Sequence, residues 1–248
     1  MELSMDKREN ILWITNIILL FFVLLDSKVL PVVILWNINV LLMGNIKRIG
    51  ANSTNFFIIF IRRILFFAVF VPILVIEPNI IWIKQNYYYL LPLGVIIGVI
   101  MLLPKIKQLG IFLSFDFISI SNKLTLTDHI TYGVINFLTP LGEELFYRLM
   151  IIRTFKDYFG ISSIIISTVM FILHHATCKW SEEFSKYDFV MQMFFGLVVG
   201  TMFYYTDQLL PCVLAHITYN MPNIILNVKK FLYFYCNIGN EYEEDDIE

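Results

Sequence analysis

The stretch Val134-Ile-Asn-Phe-Leu-Thr-Pro-Leu-Gly-Glu-Glu-Leu-Phe-Tyr-Arg-Leu-Met-Ile-Ile152 decides how this chain is read. It is long and apolar enough for a membrane helix, yet it holds Glu143, Glu144 and Arg148 within six positions. A charge at the centre of a bilayer costs on the order of 3 kcal/mol on insertion scales, and such residues pair with one another or line a water-filled cavity. Three of them so close together mark a candidate active site.

The surrounding composition is that of a polytopic membrane protein. Of 248 residues 58% are hydrophobic and only 15% charged, with a mean hydropathy of +0.73. Runs approaching the roughly 20 apolar residues that cross a hydrocarbon core recur at 11–25, 29–43, 64–76, 88–103, 130–152, 161–175, 189–205 and 209–227. The expectation is an all-α transmembrane bundle of about eight spans, with the active site among the last four. No linker, repeat or second domain interrupts it. Residues 1–127 form N-terminal helices and an interfacial segment, 128–230 the catalytic helices, and 231–248 an acidic tail. The tail reads as a solvated, disordered end, and the less apolar stretch 108–128 as an interfacial loop or surface helix.

Charge placement orients the chain. A net charge of -2 excludes a basic footprint for nucleic acid. With eight spans, Lys7, Arg8, Lys47, Arg48, Lys105, Lys107, Lys123, Lys179, Lys186, Lys229 and Lys230 fall on one side, and Lys28, Lys84, Arg153 and Lys156 on the other. The positive-inside rule then puts both termini in the cytoplasm of a cell-membrane protein whose partners include lipid. No small-residue cleavage site follows Leu25, so the first run reads as an uncleaved span. Cys178, Cys212 and Cys236 are too few and too scattered for a disulfide scaffold or thiolate metal site. Arg62 and Arg63 imply that 56–61 lies along the membrane surface and that the chain enters at Ile64. Gly196 and Gly200 mark close helix packing, Tyr87, Tyr88 and Tyr89 an aromatic belt, and Glu77 the end of a span.

Helical spacing separates the two glutamates. Thr139-Pro140 resembles an N-cap and first helical position, which would start a half-helix inside the membrane; if the helix begins near Asp128 instead, Pro140 should kink it. Glu144 lies four residues before Arg148 and shares its face. Glu143 points roughly 100° away and stays available to hold or deprotonate water. A purely structural ion-pair cluster would leave that carboxylate unmatched in lipid. Two further spans carry polar pairs. His174 and His175 end a long apolar run, and being adjacent they face different directions, so at most one readily shares a site with Glu143. His216 and Asn220 lie four apart on one face and can donate toward a common point, as a developing oxyanion requires. Asp128 and His129 read as solvated or capping. There is no H-E-x-x-H pair, no G-x-S-x-G element and no intramembrane aspartate pair.

E-E-x-x-x-R (Glu143 to Arg148), F-x-x-x-H (Phe171 to His175) and H-x-x-x-N (His216 to Asn220), in that order, resemble the motifs of the CPBP family of intramembrane endopeptidases. That family joins type II CAAX prenyl endopeptidases to bacterial proteins of the bacteriocin-processing and self-immunity (Abi) kind. The resemblance covers about 128–227 and implies that Glu143 and His175 activate a water, that His216 and Asn220 stabilise the oxyanion, and that Glu144 and Arg148 position the site. Phe171 would pack. The family is described as metalloproteases, yet its motifs read equally as a metal-free glutamate mechanism. Glu143, His175 and His216 could form a zinc site with one open position, so the metal stays open. The expected substrate is a membrane-associated peptide or protein, such as a peptide pheromone, a bacteriocin leader or a small membrane protein. The rival readings are a non-catalytic immunity or scaffold protein that binds a peptide or membrane partner, and a transporter using the carboxylates and histidines as an ion relay.

Overall fold

Backbone amides in an apolar solvent must find partners within their own segment, a demand this hydrophobic chain meets with helices. The computed structural model describes residues 5–45, 55–177 and 185–236, and none of these forms a strand. The helices are α1 (Met5–Leu25), α2 (Leu30–Asn45), α3 (Phe56–Ala68), α4 (Ile73–Ile76), α5 (Leu90–Leu102), α6 (Ile106–Phe112), α7 (Phe115–Ser119), α8 (Leu126–Glu144), α9 (Arg153–Phe159), α10 (Ser162–Thr177), α11 (Lys186–Thr206) and α12 (Leu210–Tyr235). A π-helical segment, Leu145–Ile152, joins α8 to α9. Cys178, Lys47, Arg48, Lys179 and the acidic tail lie outside the described residues.

The protein is all-α, as expected. Two stretches, Gln85–Phe112 and Lys186–Thr206, are long and apolar enough to cross a membrane by length and composition, and Asn10–Leu25, Ser27–Leu42 and Ser162–Ala176 are shorter apolar helices. Three expectations are corrected. The run 64–76 is not one helix: α3 stops at Ala68 and the chain turns before α4, because Pro72 offers no amide to continue the ladder. Nor does the chain change course at Arg62 and Arg63. Asn55 caps the Phe57 amide, α3 winds through both arginines, and Arg63 finds its counter-ion in Asp128, 2.7 Å away on α8. No half-helix begins at Pro140. Thr125 caps the Asp128 amide, and α8 runs unbroken from Leu126 to Glu144 with Pro140 inside it.

The core is built around the π segment, all eight residues of which are buried. An element apolar on every side must be wrapped on every side. Phe70 and Ile73 cover it from the α3–α4 corner, while Phe171 and Phe195 cover it from α10 and α11. Small residues set the closest approaches. A Cβ on Gly98 of α5 would stand 2.6 Å from Ala215 O and from Thr218 Cβ of α12, and one on Gly94 2.3 Å from Pro211 O, so α5 seats α12 backbone to backbone. A Cβ on Gly196 of α11 would stand 2.6 Å from Thr168 Cγ2 of α10, which is the close packing expected of the Gly196–Gly200 spacing.

Candidate active site

The last turn of α8 delivers Glu143 and Glu144, and the π segment delivers Arg148. Wide π turns commonly occur at functional sites, because an extra residue per turn re-aims side chains. Glu144 and Arg148 are fully buried, with Arg148 Nε 3.1 Å from Glu144 Oε2. Arg148 also donates to Ser167 Oγ at 3.1 Å, and that hydroxyl donates to Tyr147 O at 2.6 Å. The guanidinium carbon lies 5.3 Å from the centroid of the Phe171 ring and 6.0 Å from that of Phe195. The cation is therefore enclosed by aromatic faces and one carboxylate, a dry setting in which a charge keeps its full effect.

Glu143 turns the other way. Its Oε2 lies 3.6 Å from His216 Nε2 and 3.9 Å from His175 Nε2, and this buried oxygen has no hydrogen bond among the described residues. The second nitrogen of each ring is committed. His216 Nδ1 is 2.8 Å from Glu144 Oε1, and His175 Nδ1 is 2.9 Å from Phe171 O. A carboxylate and a carbonyl only accept, so both rings donate from Nδ1, and each turns its Nε2 toward Glu143. With both rings neutral, three acceptors converge there. A water, which brings two protons, satisfies that arrangement.

His175, not His174, faces the carboxylate. His174 is buried on the other side, where its Nδ1 accepts from Asn39 Nδ2 of α2 at 3.3 Å and meets the Tyr147 hydroxyl. Asn220 is half-buried on the same face of α12 as His216, one turn along, and makes no hydrogen bond or ion pair among the described residues. Of the residues singled out by sequence, Glu143, Glu144, Arg148, His175 and His216 are brought into one cluster, with Phe171 packed against both imidazoles at ring separations of 4.5 and 6.0 Å. Ser167, Tyr147, Asn39 and Phe195 were missed. Only Asn39 carried a signal, as an asparagine within an apolar run.

Glu143, His175 and His216 do not fit a metal centre as they stand. Among the described residues no group of three or more His, Cys, Asp or Glu is placed to hold a metal ion.

Away from this cluster, α8 and α12 face each other along a polar seam. His129, Tyr132, Asn136 and Glu143 recur at spacings of three, four and seven along α8, and His216, Asn220, Asn223, Asn227 and Lys230 at four, three, four and three along α12, each set following one helix face. The two helices run antiparallel, with Glu143 meeting His216 at one end and His129 meeting Asn227 at the other.

Residues 126–222, from the first turn of α8 to Pro222, match the sequence profile of a family described as type II CAAX prenyl endopeptidase Rce1-like. No curated protein and no solved structure matches the chain.

Proposed function

We propose, from the match of residues 126–222 to the Rce1-like type II CAAX prenyl endopeptidase family, that this chain is an intramembrane endopeptidase that hydrolyses a peptide bond of a membrane-associated peptide or protein by glutamate- and histidine-activated water. The observation that carries the mechanism is the convergence of Glu143 Oε2 with two imidazole Nε2 atoms at 3.6 and 3.9 Å.

A water held there donates toward Glu143 and toward a ring nitrogen, leaving an oxygen lone pair to attack the carbonyl. Glu143 takes the proton as general base. His216 receives that proton from Glu143 at Nε2, 3.6 Å away, and delivers it to the leaving amine as the C–N bond breaks. Its imidazolium form is supported by Glu144 at Nδ1, as the carboxylate supports histidine in a catalytic triad, and Arg148 holds Glu144 in the orientation that this requires. The tetrahedral oxyanion receives hydrogen bonds from the Asn220 amide and from protonated His216, donors fixed on adjacent turns of α12. His175, oriented by the Phe171 carbonyl, completes the water site. The chain would cross the membrane several times, about eight by the apolar runs of its sequence, with both termini cytoplasmic by the distribution of lysine and arginine.

The test compares, by mass spectrometry, short peptides released in cells producing the wild-type protein or Glu143→Ala at matched membrane abundance. Products present with wild type and absent with the variant support hydrolysis and identify the substrate. Indistinguishable profiles, together with a cellular phenotype that still depends on the protein, leave a binding or immunity protein instead.

A further inference from the structure

Gln192 is the one carboxamide in the apolar run 189–205 of α11. Its Oε1 is shielded from solvent, and neither end of the amide makes a hydrogen bond among the described residues. An acceptor left bare in an apolar interior is costly, and the surrounding lipid offers no donor. Glutamines in membrane helices ordinarily bond across to a neighbouring helix. Here the polar side chains of α10 are already committed: Ser167 donates to Tyr147 O, Thr168 to Ile164 O, and His175 Nδ1 to Phe171 O.

Helix geometry aims this amide at the catalytic cluster. On α11, Gly196 turns toward α10, where its Cβ would meet Thr168, and Phe195 turns toward α12, with ring separations of 5.0 Å from His216 and 5.9 Å from Tyr219. Gln192 lies between these directions, roughly 40° from the first and 60° from the second, so it points into the wedge where α10 and α12 meet. Its height follows from the same contacts. A step of four residues leads from Gly200 beside Ile164 to Gly196 beside Thr168, and the next step puts Gln192 level with Ile172, three residues before His175. On the other wall Val199 O lies against Cys212, and Phe195 against His216, which puts Gln192 level with Tyr219, next to Asn220. The amide therefore stands within about one helical turn, roughly 5 Å along the axes, of both imidazoles that face Glu143.

We propose that Gln192 binds the substrate main chain beside the scissile bond, its Oε1 accepting from the N–H and its Nε2 donating to the C=O of one substrate residue. In an extended chain these two groups of one residue lie on the same side and bond as a pair, which is the complement of a carboxamide. The assignment rests on the peptidase reading and adds a substrate requirement to it. The residue held by Gln192 must carry an N–H, so proline and N-methylated residues are refused at that one position.

The test uses the full-length chain carrying Glu143→Gln, which halts turnover, in phosphatidylcholine nanodiscs. It is offered N-acylated random hexapeptides in sets, one unmethylated and the others each N-methylated at a single position, and retained peptides are quantified by mass spectrometry. One methylated set is expected to be retained about fivefold less than the unmethylated set. Gln192→Met, an apolar side chain of equal length, brings that ratio to about one, and Gln192→Glu, which keeps an acceptor at the same reach, preserves it. Melting of the same chains separates a structural role. Because Gln192→Met removes a polar group that has no partner, its unfolding midpoint is expected to equal or exceed that of the parent. A methylation pattern that Gln192→Met leaves unchanged overturns the assignment. A marked loss of stability in both Gln192→Met and Gln192→Leu identifies a structural hydrogen bond and overturns it too. The peptidase reading fails separately: a methylation pattern that depends on Gln192, together with identical peptide profiles from wild-type and Glu143→Ala cells, retains the main-chain contact and removes the hydrolysis.

Discussion

Arg148→Met strands a carboxylate in the driest part of the molecule. Arg148 and Glu144 are both fully buried, and their charged atoms stand 3.1 Å apart. Once the guanidinium is gone, Glu144 retains one partner, His216 Nδ1 at 2.8 Å. Breaking a buried pair from one side costs about 3–5 kcal/mol, because the surviving charge stays desolvated. Methionine fills most of the vacated volume, so the cavity contribution is small. For a chain of this size such a loss lowers the unfolding midpoint by roughly 10 °C. The double variant Glu144→Gln/Arg148→Met removes both charges and recovers most of that stability, since neutral replacement of a buried pair is close to isoenergetic. It does not recover hydrolysis, because His216 no longer has a carboxylate at Nδ1. The assay is the loss of the folded size-exclusion peak after heating in one detergent, for wild type, both single variants and the double. Additive destabilisation would refute the reasoning, since it would mean that the two charges do not sense each other.

Three further outcomes follow from the same geometry. His175→Gln is expected to lower hydrolysis by roughly 10²-fold or more with the fold retained, whereas His174→Gln loses its contacts with Tyr147 and Asn39 and about 1–3 kcal/mol of stability. Rates and melting measured together check this, and the reverse pattern would reassign the two histidines. Gly98→Val drives a Cβ against Ala215 O and Thr218, displacing the helix that carries His216. A shift on the order of 1 Å costs about 10²-fold in turnover, whereas Gly110→Val, with nothing within 4 Å of its Cβ, leaves the rate unchanged. Dialysis against a strong chelator is expected to leave cleavage intact, as Glu143, His175 and His216 are not placed as a ligand set; activity lost on chelation and restored by zinc would refute this.

The helical class was legible because hydrophobicity on this scale leaves few other solutions. The Glu144–Arg148 pair was legible for a local reason: four residues bring two side chains onto one face, and the contact forms even though a π segment intervenes. What depended on distant parts of the chain was hidden. Nothing near His174 and His175 decides which of them faces Glu143. The choice is made by Tyr147 and Asn39, 27 and 135 residues away in sequence from His174. His216 reads as a donor beside Asn220, but its two nitrogens are addressed to two glutamates, an outcome of how α5 presses α12 into register against α8. Pro140 misled because a threonine-proline pair opens helices more often than it lies inside one, and here Thr125 provides an earlier start.

The Glu144–Arg148 contact is made within one continuous run of helix, whereas the His216 partner of Glu144 lies 72 residues further on. At ribosomal rates of about 5–20 residues per second, that interval is roughly 4–14 s. During those seconds the segment bearing three charges must reside in or beside the lipid without its imidazole. Arg148 is the counter-ion that Glu144 meets within its own helical run, so the pair serves biosynthesis before it serves chemistry: it carries a buried carboxylate through insertion, and α12 later takes over one of its oxygens.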